Sequence, residues 1–339
     1  MTSKASKNAS GPFVVGLDIG YSNVKIAFGY PSQGEPKTLV RPAHAAPIAA
    51  VNGEHSAAPG EYFVMVKGES WLSMITPARA DIKRELHSNY PSTDLYYALF
   101  LGALAAATEN GQTVIDQLIT GLPTSQSRDQ ALIDALTKRL IGKHQVAPAV
   151  AIEVKNVMVV PQPAGILNDI YSSHDDPDLL DESHILVIDP GYYSVDWVNY
   201  NKGHVVKDAS GTALEAMSAV IVEINRQIGL EHAVSPGVEK IEMALQANRD
   251  NVVLRGERVL LAPYIERASE IVANEALKDT LQSMRFQNEQ QPLDFVFLGG
   301  GGSEFYKTAV QRHFPDAQVL TSDKPVVANA IGFWLYGNE

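Results

Sequence analysis

Two short segments of the chain combine an aspartate, a glycine and hydrogen-bonding residues at the end of an apolar run. The first segment, residues 18–25, begins at Asp18, and the second, residues 189–196, begins at Asp189. A glycine at the tip of a turn lets backbone N–H groups approach a ligand, and adjacent N–H groups of this kind bind phosphate oxygens. Hydrated Mg²⁺ between carboxylate and phosphate would remove their repulsion, because Mg²⁺ keeps several waters and takes few protein ligands. The pattern therefore predicts two phosphate-binding turns, with Asp18 and Asp189 holding Mg²⁺ through water.

The other residues of these turns are predicted to contact the same ligand. Side chains of the first turn can donate to phosphate or offset its charge, whereas the second turn offers mainly its backbone. The predicted contacts are Gly20, Tyr21, Ser22, Asn23 and Lys25 in the first turn, and Gly191, Tyr192 and Tyr193 in the second. A single Asp-x-Gly turn is common in ordinary hairpins, so the prediction depends on finding two in matching contexts.

A third glycine-rich loop follows the apolar run at residues 295–298 and precedes a predicted helix. Its four glycines would let a flat group, such as adenine or ribose, lie against bare backbone. The loop lacks the Gly-Lys-Ser/Thr of a Walker A motif, and Glu304 replaces the last glycine of Gly-x-Gly-x-x-Gly. We therefore predict cofactor contacts from Gly299, Gly300, Gly301 and Gly302.

Gln162 lies between two prolines at the end of a predicted strand. A glutamine there could orient the water that attacks a γ-phosphate, or it could be an ordinary interdomain loop residue. The nine histidines show no His-x-x-x-His spacing. Ser125 and Ser127 lack the Gly-x-Ser-x-Gly setting of a hydrolase nucleophile. These patterns argue against a histidine metal site and against serine hydrolase chemistry.

Predicted strands and helices alternate in both halves of the chain, which indicates an α/β fold. The unit of strand, acidic turn and strand recurs after about 170 residues, so we expect an internally duplicated protein with mixed sheets and a central cleft. Within this plan we predict single strands at 114–120 and 151–160. Residues 172–182 are predicted as an acidic surface loop, and a helix is predicted to open at 210–212.

Composition narrows the functional classes. The 339 residues carry a net charge of −12, which argues against direct binding to a nucleic-acid backbone. A link to DNA would then require a basic partner. The chain has no cysteine, which excludes disulfides, thiolate catalysis and cysteine-bound zinc. We expect a cytoplasmic protein without membrane contact, because no apolar run reaches 18 residues and no signal sequence follows the polar residues 1–10.

These motifs resemble, in order, those of the superfamily that contains actin, heat-shock chaperones and sugar kinases. Within it, the chain is most similar to the ParM/StbA family of plasmid-segregation ATPases, particularly the PRTRC-system branch; residues 84–91 and 119–123 also resemble this branch. The matching segments are residues 18–25 (first phosphate loop), 161–165 (first connecting segment), 189–196 (second phosphate loop), 298–303 (adenosine motif) and 327–332 (second connecting helix).

The resemblance implies a duplicated actin-like (ribonuclease H-like) fold with a central nucleotide cleft. Domain I would span residues 11–163, closed by a C-terminal helix at 325–339, and domain II would span 164–324. The implied cofactors are ATP or GTP with Mg²⁺, with Gln162 and Asp189 as catalytic residues. The implied activity is slow hydrolysis coupled to self-association into filaments. These filaments would move plasmid DNA through a ParR-like DNA-binding adaptor.

One departure from the family pattern leaves alternatives open. Tyr192 and Tyr193 stand where many relatives have Gly, Ser or Thr, which puts a hydroxyl contact to the γ-phosphate and the hydrolysis rate in question. A small-molecule kinase of the same superfamily is one alternative, although no aspartate base is evident beside the loops. A nucleotide-switched scaffold without turnover is the other.

Overall fold

The computed structural model describes residues 11–53, 56–80, 89–147, 149–214, 216–247, 249–285 and 292–338. The predicted N-terminal tail and most of residues 84–91 lie outside these ranges. The chain forms two compact units: the first comprises Met1–Asp169 with Val327–Glu339, and the second comprises Ile170–Val326. Within the described ranges, no helix has the length and apolar character needed to cross a membrane.

The first unit contains a mixed five-stranded sheet in the order β11-β8-β1-β2-β3. Strand β1 pairs antiparallel with β2 and parallel with β8. Two smaller sheets, β4-β6-β5 and β7-β10-β9, complete this unit. Its elements are β1 (Val14–Ile19), β2 (Asn23–Gly29), β3 (Lys37–Pro42), β4 (Ala45–Pro47), β5 (Tyr62–Val66), β6 (Glu69–Ser73), α1 (Asp94–Ala107), β7 (Val114–Ile115), β8 (Gln117–Leu122), α2 (Gln130–Leu140), β9 (Gly142–Ala147), β10 (Val150–Val154), β11 (Val157–Pro161) and α3 (Pro163–Ser173), which crosses the boundary into the second unit.

The second unit repeats the arrangement of the first around its own acidic turn. Its sheet has the order β14-β13-β12-β18-β19, with β15 also paired to β13. Here β12 pairs antiparallel with β13 and parallel with β18, as β1 does with β2 and β8. The elements are α4 (Pro177–Glu182), β12 (His184–Pro190), β13 (Val195–Asn201), β14 (His204–Val205), β15 (Gly211–Ala213), α5 (Met217–His232), α6 (Val238–Gln246), β16 (Asn251–Leu254), β17 (Glu257–Leu260), α7 (Ala262–Arg285), β18 (Phe295–Leu298), α8 (Ser303–His313) and β19 (Gln318–Thr321). The final helix, α9 (Ala328–Tyr336), belongs to the first unit.

Both faces of β1 are buried, which explains the apolar run at residues 13–17 that leads to Asp18. Val15 and Leu17 belong to the same core as α1, whereas Val14 packs in a second cluster with Phe333 of α9. Gly16 is required where α9 crosses the strand, since a Cβ there would lie 2.1 Å from the carbonyl oxygen of Ala330. The central strand that ends in the first acidic turn is therefore fixed from both sides.

The predictions of single strands at 114–120 and 151–160 are wrong. Each stretch forms two strands in two different sheets: β7 and β8 in the first case, β10 and β11 in the second. The breaks coincide at an ion pair, in which Lys155 Nζ lies 2.7 Å from Asp116 Oδ1. Asp116 Oδ2 also accepts a hydrogen bond from the backbone N–H of Phe13. Neither break contains a glycine or a proline, the residues that mark turns most clearly, so the pattern alone does not reveal the change of sheet.

Two further predictions are wrong in the second unit. The predicted surface loop at 172–182 contains α4, whose N-terminus is capped by the Asp176 carboxylate and begins with Pro177. The segment at 210–212 does not open a helix; Gly211–Ala213 forms strand β15, and α5 begins only at Met217. Gly211 suits this strand because a Cβ would lie 2.7 Å from the Trp197 ring.

His144 links α1, α2 and β9 in the core of the first unit. Its Nδ1 lies 3.0 Å from the Tyr97 hydroxyl, and its Nε2 lies 2.8 Å from the carbonyl oxygen of Leu140. Because a carbonyl oxygen only accepts, Nε2 carries the proton and Nδ1 accepts from Tyr97. Burial lowers the pKa of His144, so the folded protein favours the neutral ring.

The pKa of His144 predicts a loss of stability in weak acid. Below the ordinary histidine pKa of about 6.5, the unfolded chain binds a proton that the folded chain does not. The free energy of unfolding therefore decreases as the pH is lowered. We expect the melting temperature of wild type to drop between pH 7.5 and 5.5 by more than that of His144→Gln. Circular dichroism melts at several pH values measure this. Equal pH dependence of the two melting temperatures would contradict a neutral His144 in the folded protein. Above pH 7.5 the two melting temperatures should change with pH in the same way.

Candidate functional site

The two acidic turns have the same backbone geometry. In the first, the N–H of Gly20 donates to the carbonyl oxygen of Asn23 at 3.0 Å; in the second, Gly191 donates to Ser194 at 2.8 Å. A Cβ on Gly20 would lie 3.2 Å from the Asn23 oxygen, and one on Gly191 would lie 3.0 Å from that of Ser194. Both positions are therefore tight, and glycine keeps each turn closed over its strand pair.

Asp18 lies at the end of β1, is 3% exposed, and has a partner for each of its carboxylate oxygens. Lys25 Nζ lies 2.8 Å from Oδ2, and Gln162 donates through Nε2 to Oδ1 at 3.2 Å. The antiparallel register of β1 and β2 places Lys25 directly opposite Asp18. Gln162 follows β11, and its backbone N–H donates to Leu122 at the end of β8. A residue of β2 and the residue that follows β11 thus meet at the carboxylate of β1.

In the second unit, the position that corresponds to Lys25 holds an acidic residue. The register of β12 and β13 places Asp196, not a lysine, opposite Asp189, and both carboxylates are buried. Asp196 accepts hydrogen bonds from the hydroxyls of Ser194 at 2.8 Å and Thr212 at 2.6 Å. The second turn therefore places two carboxyl groups opposite each other where the first pairs a carboxylate with an ammonium group.

The third glycine loop packs directly against the second turn. Gly300 has φ +81°, and a Cβ there would lie 2.0 Å from Asp189 Oδ1. Gly302 donates its N–H to the carbonyl oxygen of Pro190 at 2.8 Å, and Gly299 donates to Ile188 at 3.2 Å. By contrast, a Cβ on Gly301 would have no atom within 4 Å. Gly300 and Gly302 thus hold the two loops together, whereas Gly301 borders open space.

Tyr192 is built into the packing of the second unit. Its hydroxyl donates to Glu242 Oε2 of α6 at 3.0 Å, and its carbonyl oxygen accepts from the N–H of Ser218 at 2.9 Å. The carbonyl oxygen of Gly191 accepts from Met217, so the turn meets the start of α5. Tyr193 lies beside it, partly exposed. The turn is therefore bonded to α6 through the side chain of Tyr192 and to the start of α5 through its backbone.

Sequence reasoning missed two tyrosines that support the first turn. Tyr90 stacks on Tyr21 with ring centroids 4.4 Å apart, and its hydroxyl donates to the carbonyl oxygen of Gly20 at 3.4 Å. Tyr96 contacts the Tyr90 ring edge-on at 5.5 Å. Burial, together with the nearby charge of Asp18, raises the pKa of Tyr96 to about 12, although its hydrogen bond with Thr120 opposes this shift. The only sequence signal was the density of tyrosines in residues 90–97.

The structure brings the predicted residues together as two groups, one in each unit. Asp18, Gly20, Tyr21, Ser22, Asn23, Lys25 and Gln162 gather in the first unit, and Asp189, Gly191, Tyr192, Tyr193, Gly299, Gly300, Gly301 and Gly302 gather in the second. Small residues, hydroxyls, backbone amides and a lysine suit phosphate, and the open side of Gly301 suits a flat group. No cluster of three or more metal-ligating side chains occurs in the described ranges. Mg²⁺ would fit here only with water as most of its ligands, as Mg²⁺ commonly binds.

Comparison with protein-family models identifies both halves of the chain. Residues 16–165 match the model described as the N-terminal domain of actin-like proteins. Residues 187–312 match the C-terminal model of the archaeal MreB-like actin homologue. Together these two matches cover more than half of the sequence. This chain is an actin-like protein.

Solved structures show the same fold for this actin-like protein. The archaeal actin homologue Ta0583 is 17% identical, with a TM-score of 0.74, and the match covers 96% of this chain and 99% of that one. Its complex with ADP is 18% identical, with a TM-score of 0.69 and coverage of 96% and 99%. A chain from a 15-stranded ParM filament of Clostridium botulinum is 18% identical, with a TM-score of 0.67 and coverage of 97% and 99%. None of the curated proteins compared with this actin-like protein matches it in sequence.

The Asp18–Lys25 ion pair should contribute to stability by an amount that a double-mutant cycle can measure. Removing either partner leaves a charge largely buried without its counter-ion, which is more costly than removing both. We expect Asp18→Asn, Lys25→Met and the double variant to give a coupling of about 1–3 kcal/mol in unfolding experiments. The more exposed pair Asp116–Lys155 is the control, and its cycle should show a clearly smaller coupling, below about 1 kcal/mol. Equal coupling in both cycles would refute a special role for the buried pair.

Adjacent glycines of the third loop should respond differently to alanine. At Gly300 the left-handed backbone and the overlap with Asp189 should cost about 2–4 kcal/mol, whereas Gly301→Ala has room for its methyl group. We therefore expect thermal unfolding of Gly300→Ala at a clearly lower temperature, with Gly301→Ala near wild type. Similar melting temperatures for the two variants would show that Asp189 can move aside at little cost.

Proposed function

We propose that this actin-like protein binds ATP or GTP with Mg²⁺ and assembles into filaments that are controlled by slow hydrolysis of the nucleotide. The observation that carries the proposal is the repetition of one closed acidic turn in both units, together with the glycine loop packed on the second turn. Tight glycine turns at strand ends offer the backbone donors that phosphate groups need. The glycine loop adds an open backbone surface suited to a nucleoside.

The roles of individual residues follow from their positions. In the first unit, Ser22 and Asn23 would contact phosphate, as would the backbone of Gly20 and Tyr21, and Lys25 would offset its charge. In the second unit, the backbone at Gly191, Tyr192 and Tyr193 would do so, and Gly299, Gly300, Gly301 and Gly302 would face the nucleoside. Mg²⁺, when bound through water near Asp18 and Asp189, would supply positive charge beside the phosphates.

Gln162 is the residue that we propose to position the attacking water, together with Asp189. Its amide already has a fixed orientation, because Nε2 donates to Asp18 and its backbone N–H donates to Leu122. The side-chain oxygen of such an amide is an acceptor that can hold a water molecule in place. A fixed acceptor next to a phosphate-binding turn is what a water-positioning residue requires.

The filament and its biological use rest on resemblance and charge. One structural neighbour is a chain from a ParM filament, and another neighbour was solved with ADP. The proposal includes plasmid segregation in the cytoplasm, as the ParM/StbA resemblance implies. With a net charge of −12, the filament would contact DNA through a basic ParR-like adaptor rather than directly.

A second function, a nucleotide-switched scaffold that does not turn over, is favoured by one contact. The Tyr192 hydroxyl is used by Glu242, so it is directed to α6 rather than reserved for a γ-phosphate. In this alternative the bound nucleotide selects a conformation, and hydrolysis has no part in the cycle.

Sedimentation tests the proposed assembly. We expect the purified protein to pellet on ultracentrifugation with ATP or GTP and Mg²⁺, and to stay in the supernatant with the diphosphate or with EDTA. Light scattering across a concentration series should rise only above a threshold concentration. Flat scattering with every nucleotide and at all concentrations would contradict the filament proposal.

Phosphate release from a Gln162→Ala variant separates the two functions. If Gln162 positions water, we expect release to fall by about 10²-fold or more while nucleotide still binds, because misplacing a reactant is costly. Gln130→Ala, at the exposed start of α2, is the matched control and should hydrolyse like wild type. Unchanged turnover and filament lifetime in Gln162→Ala would favour the scaffold.

A further inference from the structure

The first unit contains a cavity of about 410 Å³ that none of the roles above uses. Its walls come from the start of α1, the exposed side of α2, the end of β8 and the segment 89–92. Five of its eleven described lining residues are apolar: Pro91, Leu122, Leu132, Ala135 and Leu136. A volume of this size, with apolar walls and a few polar and charged groups, is typical of sites for small organic molecules.

Among the described residues that line the cavity, two side chains are cations and one is a carboxylate. Lys67, at the turn between β5 and β6, lies 2.8 Å from Asp94. Arg139 of α2 donates to the carbonyl oxygens of Pro91 at 2.6 Å and Thr93 at 2.8 Å. Its guanidinium also stacks over the Tyr97 ring at 5.2 Å, so it is held rigidly. Asp94 also lies 3.9 Å from Arg139, so this one carboxylate faces both cations. The net positive charge of the described lining, in a chain of net charge −12, selects for a negatively charged occupant.

The segment 89–92, which lines this cavity, also contacts the first acidic turn through Tyr90. Asn89, Pro91 and Ser92 line the cavity on either side of Tyr90 in the sequence. Tyr90 itself is buried, stacks on Tyr21 and donates to the carbonyl oxygen of Gly20. Movement of the segment 89–92 would therefore be transmitted to the turn through a packed ring and a hydrogen bond.

We propose that this cavity is a regulatory site for a small amphipathic carboxylate, a molecule with an apolar body and a single anionic group. The apolar body lies against α2 and β8, and the carboxylate lies beside Lys67 and Arg139. Occupancy changes the position of the segment 89–92 and, through Tyr90, the geometry of the first turn. This inference does not depend on the proposed nucleotide chemistry, because both binding and its effect on the turn can be measured without nucleotide.

Binding can be tested with 2-naphthoate as the probe and neutral 2-naphthamide as its matched control. We expect saturable binding of naphthoate by titration calorimetry, and clearly weaker binding of the amide. Lys67→Gln should weaken naphthoate binding by up to about fivefold, the effect of an exposed charge pair, without changing the amide. Lys138→Gln, an exposed lysine of α2 that does not line the cavity, should have no effect.

A blocking variant tests the location. Ala135 is exposed at the mouth of the cavity, so Ala135→Trp can fill it without replacing a core residue. We expect at least a tenfold loss of naphthoate affinity, with an unchanged circular dichroism spectrum. Absence of saturable binding to wild type, or undiminished binding to folded Ala135→Trp, would overturn the site. Equal affinity for naphthoate and naphthamide would overturn its preference for an anion.

Amide resonances of the first turn test the coupling. We expect naphthoate to shift the ¹H–¹⁵N signals of Gly20 and Tyr21 in wild type. The shifts should be reduced in Tyr90→Leu, which removes both the stacked ring and the hydroxyl, while affinity for the probe remains. Binding that leaves the signals of the first turn unmoved, or equal shifts in the variant, would refute transmission through Tyr90.

Discussion

The cross-strand pair at the end of each central strand is the interaction on which the candidate site depends. Antiparallel register places Lys25 opposite Asp18 in the first unit and Asp196 opposite Asp189 in the second. A buried carboxylate is stable only when charge or hydrogen bonds compensate it. The first unit supplies an ammonium group and an amide, and at Asp196 the second unit supplies two hydroxyls. The two turns thus share one backbone geometry, but different groups compensate their buried carboxyl groups.

Close backbone approach, rather than side-chain contact, fixes the elements around these pairs. A Cβ on Gly332 of α9 would lie 1.8 Å from the carbonyl oxygen of Gly165 in α3. The chain leaves the first unit in α3 and returns to it just before α9. Both connections are therefore anchored within the first unit at a crossing that tolerates only glycine. The same device joins the third loop to the second turn, where Gly300 leaves room for the Asp189 carboxylate.

Local patterns predicted the parts of the fold that depend on local chemistry. The two acidic turns, the strand Phe295–Leu298 and the helix after the third loop follow from apolar runs and glycine positions. The changes of sheet at Asp116 and Lys155 did not, because neither break contains a glycine or a proline to mark it. Strand β15 was mistaken for a helix start because Ser-Gly-Thr also resembles a cap.

Contacts between residues distant in sequence could not be predicted, for a different reason. Gln162 meets Asp18 across 144 positions, and only the order of β11, β8 and β1 in the sheet brings their ends together. Tyr90 reaches Gly20 across 70 positions. No local pattern encodes such pairs, and a single sequence gives no information on which residues vary together.

The charges of the two turns also limit how each can take part in binding. Sequence similarity between the turns suggested that Asp18 and Asp189 act alike toward Mg²⁺. In the structure, Lys25 lies 2.8 Å from Asp18, so a metal ion that bound this carboxylate directly would have to displace an ammonium group already in contact. Contact through water avoids that cost, since the ion pair can stay intact. Asp189 lies opposite Asp196 in the strand register, and a cation nearby would favour the ionised form of both groups. Asp18 and Asp189 therefore offer a cation different surroundings, although the backbones of their turns are alike.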